Sequence, residues 1–111
     1  MRWFKEKQLK KLDFPAQNLG DDAMLEFARI PSLENLHIYQ TAVTANGIAA
    51  LKPLKFLAGL NISGCKSIDD SAVPALRDLK LLRELNVNET AITDAGFAQL
   101  QKALPRCRIS R

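Results

Sequence analysis

The stretch Leu85–Leu100 reads LNVNETAITDAGFAQL. Leu85 and Val87 are apolar with Asn86 between them, the period-2 signature of a short strand with one buried face. Thr90 and Ile92 follow in a turn, and Thr93 and Asp94 then offer side-chain oxygens to cap a helix. Phe97 and Leu100 lie three residues apart and share one helical face. A strand, a turn and a capped helix within about 24 residues form a supersecondary unit that buries its apolar side only against copies of itself.

Working outward, the copies are present. Leu9-x-x-Leu12-x-Phe14, Leu33-x-x-Leu36-x-Ile38, Leu57-x-x-Leu60-x-Ile62 and Leu82-x-x-Leu85-x-Val87 repeat the strand signal, with central leucines 24, 24 and 25 residues apart. Each is followed by an aliphatic turn residue, namely Leu19, Val43, Ile68 and Ile92. Polar caps come next, around Asp21-Asp22, Thr44, Asp69-Asp70 and Thr93-Asp94. The spacing predicts parallel strands over residues 11–14, 35–38, 59–62 and 84–87, and helices over 22–29, 45–52, 70–79 and 94–103.

Several residues depart from strict repetition. Pro53 is expected to end the second helix near Lys52. Pro74 falls near the start of the third, where a missing N–H costs little. Gly64–Ile68 adds one residue to its turn, and Cys65 stands where the other copies have Gln17, Thr41 and Thr90. Those side chains are expected to satisfy backbone groups of the turn below. Leu104–Ile109 contracts the spacing and reads as a short final strand whose register stays open. One domain results: repeats over 9–103, an N-terminal cap or tail over 1–8, and a C-terminal cap over 104–111. Trp3 and Phe4 are expected to cover the open end of the first repeat, as a thin repeat stack requires.

The net charge of +4 is unevenly placed: residues 1–11 and 102–111 each carry +4, and the body between them −4. Basic ends of this kind read as solvated caps, which argues against nucleic acid as the partner. MRWFKEKQLKKL has no apolar core of a secretory signal, and no run is long enough to span a membrane. Cys65 and Cys107 fall roughly 10 Å apart in the stack, at about 4.8 Å per strand. That is too far for a disulfide, so reduced thiols and a cytoplasmic location are expected.

These motifs resemble leucine-rich repeats. LNISGCKSIDDSAVPAL is similar to the cysteine-containing, ribonuclease-inhibitor-like form found in F-box-type proteins, while TAVTANGIAAL and TAITDAGFAQL resemble bacterial repeats rich in TDAGL units. LQKALPRCRI is similar to the endings of such bacterial arrays. Gly20 and Asp69 replace the usual threonine, and Ala23 and Ala72 the usual glycine. The resemblance covers roughly residues 9–109. It implies an α/β fold: a right-handed solenoid of four repeats with terminal caps, a parallel sheet on its concave face and helices on its convex face.

It also implies recognition of a protein or peptide by the concave sheet. Alternation places Asp13, His37, Asn61 and Asn86 in its middle column, Pro15, Tyr39, Ser63 and Asn88 one step after, and Lys11, Asn35, Gly59 and Glu84 one step before. The candidate contacts are Asp13, His37, Tyr39, Asn61, Asn86 and Asn88, with Tyr39 a potential anchor. Tyr39 and Asn61 are expected within roughly 5–10 Å of each other, one or two strand spacings. The alternative readings are a substrate-recognition subunit of an F-box-type assembly and the closing segment of a longer array.

Chemistry is not signalled. His37 is the only histidine, and no nucleophile shares its height, since Ser63 lies one strand over and one column across. An open sheet excludes water poorly, so no enzyme activity and no cofactor are expected. Asp21-Asp22 and Asp69-Asp70 lack the further oxygens a calcium site needs and read as helix caps.

Overall fold

The computed structural model describes residues 10–13 and 19–111, with Asp13 described in its backbone alone. Strands and helices alternate along the chain. β1 is Lys11–Asp13, α1 Asp21–Phe27, β2 Asn35–His37, α2 Ala45–Ala49 and β3 Gly59–Asn61. A 3-10 turn over Asp70–Ala72 leads into α3, Val73–Arg77, followed by β4, Glu84–Asn86, α4, Asp94–Ala103, and β5, Arg108–Ser110. The expected cap over residues 1–8, with Trp3 and Phe4, lies outside the described residues, as do Phe14, Pro15 and Gln17.

The strands form one five-stranded sheet in chain order, β1-β2-β3-β4-β5, with every neighbouring pair parallel. Leu12, Leu36, Leu60, Leu85 and Ile109 align across it in a single row. Among the described residues five strands form where four are spelled out by paired core residues. The fifth is short of leucines, and its register of Leu85 against Ile109 comes from pairing with β4. Leu36 and Ile38, Leu60 and Ile62, and Leu85 and Val87 turn inward and are buried. They meet Met24 and Phe27 of α1, Ile48 of α2 with Leu51 just after it, Val73 and Leu76 of α3 and Leu100 of α4. The helices cover one face of the sheet, and the other carries the polar residues that alternate with this core.

Helix lengths differ from those predicted. α2 ends at Ala49, not near Lys52, because Leu51 and Lys52 donate to carbonyls three residues back, Ile48 O at 3.0 Å and Ala49 O at 3.3 Å. That tighter winding turns the chain toward β3 before proline could stop it. α3 is split in the same way, its first turn being 3-10 and Pro74 sitting in the first turn of the α-helical part. α4 keeps the full predicted span.

Neighbouring units are held together by side chains as well as by the sheet. Asp21 accepts from the Thr44 amide at 2.8 Å and from its hydroxyl at 2.5 Å. Asp70 does the same for Thr93, at 2.8 and 2.5 Å. The expected capping role therefore divides. Thr44, Asp69 and Thr93 cap their own helices or turns, whereas Asp21 and Asp70 hold the cap of the following unit. Gly47 and Gly96 leave room for them: a Cβ at either position would overlap the Asp21 or Asp70 Oδ1. Ala45 stands in the equivalent place of the second unit, and there the following unit has Ala72 instead of glycine. Alanine at Ala72, where the units on either side have Gly47 and Gly96, thus goes with the missing carboxylate at Ala45.

Cys65 makes a comparable link. Its thiol lies 3.2 Å from Ile38 O, to which it donates, and 3.2 Å from Thr41 Oγ1. Both cysteines are free; Cys65 is buried and Cys107 half-buried. Burial, reinforced by the Glu84 carboxylate, pushes the Cys107 thiol pKa up.

Candidate functional site

The open face of the sheet is built from the positions that alternate with the buried leucines. Parallel register sets Asp13, His37, Asn61, Asn86 and Ser110 side by side as one column. Lys11, Asn35, Gly59, Glu84 and Arg108 form the column before it. Between these two columns runs a groove of about 310 Å³, walled by Asn35, His37, Asn61, Glu84, Asn86 and Arg108. Its dip is at Gly59, over which the Asn35 side chain leans. The Arg108 guanidinium stands 3.8 Å from the Glu84 carboxylate at the β4–β5 end.

The asparagines do two things. Asn61 Oδ1 accepts from the Ser63 amide at 3.0 Å, and Asn86 Oδ1 accepts from the Asn88 amide at 2.9 Å. Each carboxamide oxygen thereby fixes the turn that leaves its strand, as Asx turns do. The carboxamide N–H groups are not used in these turns and add donors to the groove that both residues line. The residues after this turn are left-handed: Gln40 at φ 61°, Gly64 at φ 74° and Glu89 at φ 58°. This geometry lets the Gln40 amide reach Ser63 O and the Gly64 amide reach Asn88 O, both at 2.8 Å, so inter-unit hydrogen bonding continues past the strands.

Of the residues singled out from sequence, His37, Asn61 and Asn86 line the groove together. Tyr39 and Asn88 lie one step beyond, in the turn, and are not among its walls; Tyr39 is half-buried and Asn88 exposed. Asp13 is in register with His37, and its side chain lies outside the described residues. Asn35, Glu84, Arg108 and Ser110 line the groove without having been selected. The signal for the first two was their place one step before the core leucine. The last two needed the register of β5.

No family model and no curated protein matches this sequence. Among solved structures, the chain is similar to one described as the structure of Chaetomium Mex67:Mtr2 subunits. The TM-score is 0.72 at 14% identity, over 95% of this chain and 80% of that one. It is also similar to a leucine-rich-repeat protein of Leptospira interrogans, with a TM-score of 0.54 at 18% identity over 78% of this chain and 27% of that one. At these identities the likeness is one of fold. It supports a leucine-rich-repeat-like α/β architecture, with a five-stranded parallel sheet in this chain. Among the described residues, no helix is long and apolar enough to cross a membrane.

Proposed function

We propose that this chain is a right-handed leucine-rich-repeat solenoid of four repeats that binds a protein or peptide through its concave sheet, without catalysis. The observation that carries the reading is the groove: four successive strands, β2 to β5, contribute hydrogen-bonding side chains to one continuous surface on a rigid backbone. Asn35, Asn61, Asn86 and Ser110 donate and accept hydrogen bonds without titrating near neutral pH. This suits recognition of a polar backbone or side chain better than acid–base work. Likeness to a leucine-rich-repeat protein supports the same reading. Residues 104–111 act in it as a cap, with β5 covering the edge of β4 and Arg111 paired to Asp94. The two free thiols fit a reducing compartment such as the cytoplasm.

The test is affinity capture from native lysate with wild-type protein, a groove variant and a helix-side variant. His37→Ala with Asn86→Asp changes the groove but keeps an acceptor for the Asn88 amide, so the turn survives. Glu26→Ala with Gln99→Ala alters exposed helical positions away from the sheet. The groove variant is expected to lose the captured protein while the helix-side variant keeps it. The reverse pattern overturns the assignment of this face.

A further inference from the structure

Charge is segregated across the sheet. Three of the four described helix-to-strand connections, taken with the helix ends beside them, cover residues 50–58, 75–83 and 100–107 and carry seven basic residues and one acidic; the fourth, over 28–34, carries one of each. The opposite rim, over residues 63–71 and 88–95, carries one basic and four acidic residues. Cations at helix C-termini and carboxylates at N-termini complement the helix dipoles, which accounts for part of this. It does not account for Phe56 and Leu81, which are 61% and 55% exposed on the basic rim. They hold the same place in successive units, each three residues before the paired positions Gly59 and Glu84.

Beside them lies a notch of about 200 Å³, lined by Leu54, Leu57, Leu79 and Leu81 and edged by three lysines, Lys52, Lys55 and Lys80, against one carboxylate, Asp78. None of the three lysines takes part in an ion pair among the described residues. We propose that this basic rim is a second binding surface, distinct from the sheet groove, that takes an acidic peptide segment of a partner protein carrying a large aliphatic residue. The aliphatic side chain would fill the notch against Leu81, and the flanking carboxylates would pair with the lysines. Charge complementarity selects the acidic partner. The concave, aliphatic floor favours an inserted side chain over a flat lipid surface or a nucleic-acid base, which would want an aromatic platform.

Fluorescence anisotropy with the whole chain tests this directly. The probe is a labelled peptide, Glu-Asp-Glu-Leu-Leu-Asp-Glu-Asp; its comparators are the same peptide with both leucines replaced by alanine, a single-stranded oligonucleotide of matched charge, and vesicles with about one-third phosphatidylserine. The leucine peptide is expected to bind at least fivefold more tightly than its alanine version and to weaken as salt rises. Phe56→Ala with Leu81→Ala should reduce its affinity about tenfold, and Lys55→Glu with Lys80→Glu should abolish it. His37→Ala with Asn86→Asp, in the sheet groove, should leave it unchanged. Circular dichroism on each variant confirms that the fold is kept. Equal affinity for the two peptides reduces the rim to unspecific charge attraction and overturns the proposal. So does tighter binding to the oligonucleotide or vesicles, no detectable peptide binding, or insensitivity to the Phe56 and Leu81 replacements.

Discussion

Asn35 reaches across from β2 and places its carboxamide oxygen over Gly59 of β3, in the space a Cβ there would occupy. The absence of one side chain thus lets another fold down, and the depth of the groove depends on both. Gly59→Ala is expected to cost less than about 1 kcal/mol, because only the end of a flexible side chain must move aside. The same change should lower partner capture by filling the dip. A loss of several kcal/mol in a urea titration would mean that Asn35 cannot yield.

A glycine of the other kind is Gly96. A Cβ there would meet Asp70, which two hydrogen bonds to Thr93 hold in place, and also Ile92 at 3.1 Å. Gly96→Ala should therefore destabilise by about 1–3 kcal/mol, the usual range for overpacking. Combined with Asp70→Ala, much of that loss should disappear, giving a coupling of about 1 kcal/mol in a double-mutant cycle. Strict additivity would show that the two residues do not share the space.

Leu36 and Leu60 are 0% and 2% exposed. Replacing either by alanine should cost about 2–5 kcal/mol, combining lost burial with an unfilled cavity. Leu25, 58% exposed on α1, is the internal control. Leu25→Ala should change stability by less than about 0.5 kcal/mol, as surface substitutions do. Equal losses at the three positions would contradict the burial pattern.

Acid titration provides a local check on the third cap. Ser71 donates its hydroxyl and its amide to the Asp69 carboxylate, and these bonds hold the Asp69 pKa below its ordinary 3.8. A lowered carboxylate pKa contributes stability that is complete above the unfolded value and lost as pH falls through the folded one. The window for this residue therefore lies at and below about pH 3.8. Carbon-detected NMR should find the Asp69 midpoint below that value, and Ser71→Ala should move it upward. No movement would show that the hydroxyl bond is not formed.

How much of this was legible in the sequence depends on which residues carried the signal. Leu36 with Ile38, and Leu60 with Ile62, define strands because one intervening residue fixes the face of both neighbours. The helices were harder. The aliphatic stripe Ile48, Leu51 and Leu54 continues past the last α-helical turn, since a 3-10 turn also brings residues three apart onto one side. The middle column of the open face followed from alternation alone, so His37, Asn61 and Asn86 were found. Arg108 and Ser110 were missed because their strand has a single core residue, Ile109, and takes its register from a neighbour. The turn-holding role of the asparagines had a visible mark: Asn61 and Asn86 each stand two residues before an amide that needs an acceptor.

The Asp–Thr–Gly contact also limits how such a chain could be cut and rejoined. Deleting the second unit would bring Asp21 against Asp69 and Ala72, setting one carboxylate beside another and a methyl group where an oxygen must sit. Deleting the second and third together would bring Asp21 against Thr93 and Gly96, which restores the contact found between Asp70 and those same residues. Removing the second and third units together therefore keeps this contact, whereas removing the second alone should yield a chain whose new junction is its weakest point.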